Sequence, residues 1–126
     1  PEILAIIDWE LATVGDPYMD VALMLMFWGE YRTQQPPAFA ALQSVSRRSG
    51  VISRRELAGR WSESVGRPLH HMNFYMALAF WRLAAIVEGA YGLFVAGQLT
   101  TDYARGLEYD VPALLAEAER AAKGDW

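Results

Sequence analysis

Cysteine is absent from this sequence, which removes disulfides, thiolate nucleophiles and cysteine-ligated zinc from consideration. A cysteine-free chain suits a reducing compartment, so the cytoplasm is the expected location. Histidine is nearly absent: His70 and His71 are the only two. Being adjacent, they point in different directions and cannot form the i,i+4 pair of a zinc helix. A basic surplus is missing as well. The formal net charge is -4 and the pI about 5.1, so no nucleic-acid partner is expected. No basic stretch leads into an apolar run and a small-residue cleavage site, so no signal peptide is read at the start. Internal repeats and low-complexity tracts are also lacking.

What the chain does have is apolar content, 53% of its 126 residues, enough for the core of one domain or a large piece of one. Residues 3–7, Ile-Leu-Ala-Ile-Ile, read as a buried strand, because the run is short, rich in β-branched residues and followed by a polar turn. No partner strand is legible elsewhere, and a lone strand cannot satisfy its own ladder hydrogen bonds. The expectation is therefore that upstream sequence belongs to the same fold. Asp16 and Pro17 have the character of an N-cap and a first helical residue, and the helix they open carries Val21, Leu23, Met24, Leu25 and Phe27. With apolar residues nearly all round, it is expected to be central and buried. Residues 29–37 read as a loop and 38–48 as a weaker helix. Ser53 with Glu56 forms a capping-box pattern for a helix over 54–65, broken by Gly66, Arg67 and Pro68.

The longest helix is predicted over residues 70–96, with Met76, Phe80, Leu83, Val87, Ala90 and Phe94 on one continuous face. Length alone would let this segment cross a bilayer. Arg82 and Glu88 sit mid-segment, where a charge costs roughly 2.5–3.5 kcal/mol on insertion scales, so a core helix is the better reading and no membrane partner is expected. Both charges then need a partner or water. A structural ion pair is the plain role for Arg82, and contact with an anionic substrate the functional one. Tyr75, Trp81 and Tyr91 read as core or cleft lining. Gly89 and Gly92 offer room for a close helix approach. The group Arg47, Arg48, Arg54, Arg55 and Arg60 reads as a solvated helix face, with attraction of a phosphate-bearing substrate as the alternative. A last helix is predicted over 111–122, with Pro112 in its first turn and Asp110 as its cap.

The densest chemistry lies at the start. Asp8, Glu10, Asp16 and Asp20 fall within thirteen residues, between the apolar run and the first helix. A carboxylate at the end of a buried strand suits Mg²⁺, which takes one or two protein carboxylates and completes its shell with water and substrate phosphates. The plain alternative is that Asp8 and Asp16 only cap turns and Glu10 is solvated.

The run Ile7-Asp8-Trp9-Glu10, followed by Gly15-Asp16-Pro17 and Asp20-Val21-Ala22, resembles the segment after the catalytic loop in the aminoglycoside phosphotransferase and choline kinase-like family. The block from Phe80 to Gly89 resembles a helix of the subgroup fused to acyl-CoA dehydrogenases. The resemblance implies a mainly α chain with a short β remnant, the C-terminal lobe of a protein-kinase-like fold, occupying residues 1–126 as a partial phosphotransferase domain. It implies an intact protein that uses Mg²⁺ and ATP to phosphorylate a hydroxyl of a small molecule, with a hydroxyacyl-type acceptor as one option. Asp8 matches the acid that holds Mg²⁺ against the nucleotide phosphates, and Glu10 lies where a second metal or its water would be approached. Asp20 matches an acid that bonds the backbone of the catalytic loop, and Asp16 is a helix cap. His70, Tyr75 and Arg82 are the candidates for substrate contact.

The family's His-x-Asp loop, its phosphate-covering loop and the ATP-anchoring lysine of the N-terminal lobe are not found in these 126 residues. The partner such a piece needs is the N-terminal lobe of the same chain. Alone it is expected to be inactive, with no catalytic base. Two alternatives stay open: a pseudokinase-like binding module, and an unrelated helical bundle with an acidic turn, in which Asp8 would face solvent.

Overall fold

In the computed structural model, residues 2–10, 12–29 and 43–126 are described. Every regular element among these residues is a helix, the first beginning at Pro17. The elements are α1 (Pro17–Met26), α2 (Arg54–Val65), α3 (Met72–Val95), a short α4 (Asp102–Gly106), one 3₁₀ turn (Leu107–Tyr109) and α5 (Asp110–Ala122). The long α3 is the centre, packed on one side by α1 and along its length by α5.

Local chemistry accounts for most boundaries. The Asp16 carboxylate accepts from the Tyr18 amide at 3.1 Å while Pro17, which has no N–H to leave unpaired, occupies the first turn. Ser53 and Glu56 make the reciprocal capping box: Ser53 N–H donates to Glu56 Oε2 at 2.8 Å and Glu56 N–H donates to Ser53 Oγ at 3.2 Å. Gly66, at φ 65 and ψ 28, closes α2 in the left-handed conformation that costs glycine nothing. Thr101 starts the short α4 by accepting the Ala104 amide at 3.2 Å.

The core joins Val21, Ala22, Leu25 and Met26 of α1 to Met76, Ala79, Phe80, Ala84 and Val87 of α3. Leu114, Ala118 and Ala121 of α5 complete it, with Leu107 and the C-terminal Trp126. The predicted face of α3 is therefore the buried one at Met76, Phe80 and Val87, with Leu83 and Ala90 partly covered. Polar ties hold the rest. Trp28 Nε1 donates to the Ile52 carbonyl at 2.9 Å, and Arg54 Nε donates to the Trp28 carbonyl at 3.0 Å, joining the end of α1 to the start of α2. Arg55 donates to the Gly124 carbonyl at 2.6 Å and lies over the Trp126 ring at 4.3 Å. Arg54 and Arg55 are thus structural members of the basic group, binding one segment to another rather than facing solvent as a set.

Four expectations change. The strand does not form: residues 2–9 have no strand pairing, and Ile3, Leu4, Ile6 and Ile7 are 70–90% exposed. A strand is stabilised by the ladder of a neighbour, and among the described residues none lies alongside. The β remnant is therefore withdrawn, and the regular elements of the described residues are all helices. Second, α1 is buried on one face only; Leu23 and Met24 stay exposed on the side that neither α2 nor α3 covers. Third, residues 43–47 are turns rather than the end of a helix, while the loop over 30–37 and the helix start over 38–42 lie outside the described residues. Fourth, Asp110 does not cap α5. It lies inside the first turn, fully buried, and neither carboxylate oxygen has a hydrogen-bond partner.

Length and composition would let α3 cross a membrane, as the sequence suggested. Arg82 and Glu88 are both exposed on its outer side, so neither charge is buried unpaired. Phe74, Trp81, Ile86 and Leu93 are exposed as well.

Candidate functional site

The acidic segment runs from residue 6 to residue 20 and is organised at its two ends by different means. At the first end it folds on itself. Trp9 Nε1 donates to the Ile6 carbonyl at 2.7 Å, and the Ala12 amide donates to the Trp9 carbonyl at 2.9 Å. These bonds bend the chain around Asp8, which takes φ 71. That left-handed conformation is uncommon outside glycine, and aspartate is among the residues that tolerate it. The carboxylates of Asp8 and Glu10 are both exposed. The bend, rather than the end of a β-strand, presents Asp8.

At the second end the segment is fastened to the helical body. Asp16 uses both carboxylate oxygens. Oδ1 caps α1 at the Tyr18 amide, and Oδ2 accepts from the Tyr75 hydroxyl at 2.5 Å, across 59 residues. The Tyr18 ring stacks on Tyr75 at 5.3 Å and meets the Trp61 ring edge-on at 5.5 Å, while its hydroxyl donates to the Pro68 carbonyl at 2.7 Å. One polar-aromatic cluster thus joins the acidic segment to α1, α2, the α2–α3 turn and α3. The Tyr75 hydroxyl, then the Tyr18 amide, hold the Asp16 carboxyl below its ordinary range, helped by the Arg67 charge. The same bond pushes the Tyr75 hydroxyl up, because losing its proton would put a second negative charge against Asp16.

The remaining candidates are placed apart. Asp20 lies exposed in the first turn of α1. His70 is exposed in the turn before α3, its ring centroid 6.3 Å from that of His71. His71 takes φ 53 and opens α3 without a side-chain cap. Arg82 is exposed further along the helix. A cleft of 810 Å³ opens beside the start of α3, lined by Arg55, Leu69, His71, Asn73, Phe74 and Trp126. It includes none of Asp8, Glu10, His70, Tyr75 or Arg82. A second groove of 360 Å³ lies between α3 and α5, bounded by Trp81, Ala84, Ala85, Glu88, Val111 and Leu115. Among the described residues no three His, Asp or Glu side chains cluster as a closed metal cage.

The donor chemistry of Asp8 and Glu10 fits Mg²⁺ in one specific sense. Both are hard oxygen donors open to solvent, and Mg²⁺ is held by one or two such carboxylates when water and substrate phosphates fill the other positions. A site assembled entirely from protein ligands is not what these residues could form. Sequence reasoning missed the Tyr18–Tyr75–Asp16 cluster. The signal available was only that Tyr75 sits on the inward side of a helix start and Asp16 at a cap; nothing local connects them.

Comparison with known proteins places this geometry in context. Residues 1–57 match the family described as Phosphotransferase enzyme family. The chain is 33% identical over 105 residues to Acyl-CoA dehydrogenase family member 10 of Mus musculus, covering 79% of this chain and 9% of that protein. It is 29% identical over 102 residues to Acyl-CoA dehydrogenase family member 11 of Homo sapiens, covering 79% of this chain and 13% of that protein. Probable acyl-CoA dehydrogenase IBR3 of Arabidopsis thaliana is 28% identical over 98 residues, covering 75% and 12%. The chain thus spans only 9–13% of the length of these relatives. No solved structure matches it.

Proposed function

We propose that this chain, whose first 57 residues match a phosphotransferase family, is the helical, C-terminal-lobe portion of a kinase-like enzyme. That enzyme uses ATP and Mg²⁺ to phosphorylate a hydroxyl of a small molecule in the cytoplasm. The observation that carries the reading is the match of residues 1–57, which contain Asp8, to a phosphotransferase family; the solvent-facing Asp8 by itself fits an unrelated helical bundle equally well. Asp8 would hold Mg²⁺, with Glu10 two residues on as a second oxygen donor or a partner for metal-bound water. When bound, the metal neutralises charge on the nucleotide phosphates. Asp20 would accept backbone N–H groups of the neighbouring catalytic loop, where an ionised acceptor gives the stronger bond.

The acceptor side would be built by the helical segments after Gly29. A hydroxyacyl compound is the favoured acceptor class, supported by relatives whose names join the segment to acyl-CoA dehydrogenases. His70 and Arg82, both exposed, are proposed to meet an anionic part of it. In the proposed intact enzyme the general base and a further metal ligand would come from a His-x-Asp loop, which these 126 residues do not hold.

Asp8→Asn in the intact enzyme keeps the backbone conformation and removes the charge. Turnover should fall by more than about a hundredfold, beyond what loss of a ligand's outer partner costs, with the circular-dichroism spectrum unchanged. Retained turnover would remove Asp8 from the metal site. A second reading, a binding module without chemistry, is favoured by the exposed and unclustered acids of residues 8–20. It requires that the intact protein lack the His-x-Asp loop, which the complete reading frame answers directly.

A further inference from the structure

The cleft beside the start of α3 is walled by three separate parts of the chain: α2 through Arg55, α3 through Asn73, Phe74 and Ala77, and the C-terminal residues through Ala122 and Trp126. Trp126 is its fixed point, buried at 6% exposure with two polar side chains set against it. Its indole Nε1–H donates to Asn73 Oδ1 at 2.8 Å, and the Arg55 guanidinium lies over its ring at 4.3 Å. Arg55 is fastened a second time, by its bond to the Gly124 carbonyl at 2.6 Å. These ties decide which groups remain for a ligand. An amide whose oxygen accepts from an indole keeps its Nδ2 donors. A guanidinium carries five N–H donors in a fixed plane, and the Gly124 carbonyl takes one. Both side chains therefore meet the cleft as donors held in a set orientation.

No acid lines this cleft. The two acids next in sequence to its polar walls are engaged elsewhere: Asp125 pairs with Arg120, and Glu56 closes the capping box at Ser53. Among the described residues no ion pair joins Arg55 to a carboxylate. Oriented donors and a positive charge with no opposing negative one select an anion. The rest of the lining calls for an apolar body on that anion, since Leu69, Phe74, Ala77 and Ala122 carry no polar side-chain atom and Phe74 is exposed. We propose that the cleft binds a small organic carboxylate, its oxygens bonded by Arg55 and Asn73 and its aromatic or short aliphatic body against Phe74 and Ala77. A planar carboxylate matches the edge of a guanidinium, whereas a phosphate would turn a third charged oxygen toward apolar walls, which costs desolvation. The site needs neither Asp8 nor a metal, so it stands apart from the phosphotransferase reading.

The test titrates the whole chain with phenylacetate and follows the Phe74, Ala77 and Ala122 amides and the Trp126 indole N–H by NMR. A ligand of about ten non-hydrogen atoms should shift these signals with a Kd of roughly 1 mM. The neutral analogue 2-phenylethanol keeps the body and lacks the charge; it should bind at least about tenfold more weakly. Inorganic phosphate, a charge without a body, should leave Phe74 and Ala77 unshifted. Arg55→Gln keeps a donor and removes the charge. Asn73→Asp keeps the acceptor for the Trp126 indole and removes the donors. Each should weaken phenylacetate by about tenfold, the effect of losing a charge-assisted bond. An unchanged helical circular-dichroism spectrum shows which variants are folded, and should one fail to fold, the other and the neutral analogue still decide. No shift at the cleft with roughly 20 mM phenylacetate would overturn the proposal. So would equal binding of 2-phenylethanol, equal shifts with inorganic phosphate, or parent-like affinity in a folded variant.

Discussion

Residues 2–16 and residues 53–126 solve opposite problems. In the second stretch each helix carries its own instructions: Ser53 with Glu56, Gly66, Thr101, and the four-and-three spacing of Met76, Phe80, Leu83 and Val87. Such devices act over a few residues, so they operate wherever the chain is placed. The first stretch has a comparable share of apolar residues, yet Ile3, Leu4, Ile6 and Ile7 stay in solvent. Alternating or continuous β-branched residues specify only a preference for being beside another strand. Helix signals are self-contained, whereas strand signals are requests to a neighbour.

The contrast can be broken most severely in the body. Phe80→Ala removes a fully buried ring at the meeting of α1 and α3 and should cost about 3–5 kcal/mol in denaturant unfolding. A loss near zero would mean that the α3 face is not the organising core.

Asp110 gives a smaller and pH-dependent effect. Burial without a partner raises its carboxyl above the ordinary value of 3.8. Between that value and the raised one the folded chain holds more protons than the unfolded chain, so stability should fall as pH rises through this window. Below it both states are protonated and the penalty disappears. Asp110→Asn should therefore melt a few degrees above the parent at neutral pH, and the gap should close near pH 3. A gap independent of pH would show that the carboxyl finds a partner in solution.

Ser53→Ala tests the self-contained character of α2 and should cost about 1 kcal/mol, the usual worth of an N-cap. The mildest change sharpens the other side of the comparison. Ile6→Ser exposes nothing that is not already exposed, and its effect on unfolding should stay within about 0.5 kcal/mol. A larger loss would show that the segment pairs with something in solution.

The same contrast explains what could be read in advance. Asp16 and Pro17, the Ser53 box and the buried stripe of α3 were legible because each is a relation between residues four or fewer apart. The acidic motif was legible as a family pattern, and the match over residues 1–57 bears that out. The Tyr75–Asp16 bond spans 59 positions and leaves no periodic trace. Asp110 looked like a cap because an acid before a helix ordinarily is one. Here α4 and the 3₁₀ turn lead directly into α5, and Tyr109 takes the capping position, drawing Asp110 inside. The Arg54 and Arg55 contacts were hidden for a related reason: a run of arginines reads as one surface patch until the fold sends each to a separate carbonyl.

The bend at Asp8 carries a consequence for which acid can serve there. With φ at 71, the backbone excludes β-branched side chains and disfavours longer ones, while aspartate, asparagine and glycine enter it readily. Of those three, aspartate alone brings a negative charge. Glutamate would preserve the charge and forfeit the shape; asparagine would preserve the shape and forfeit the charge. On the metal-holding role proposed for Asp8, chain geometry and the need for charge would together leave this position a vocabulary of one.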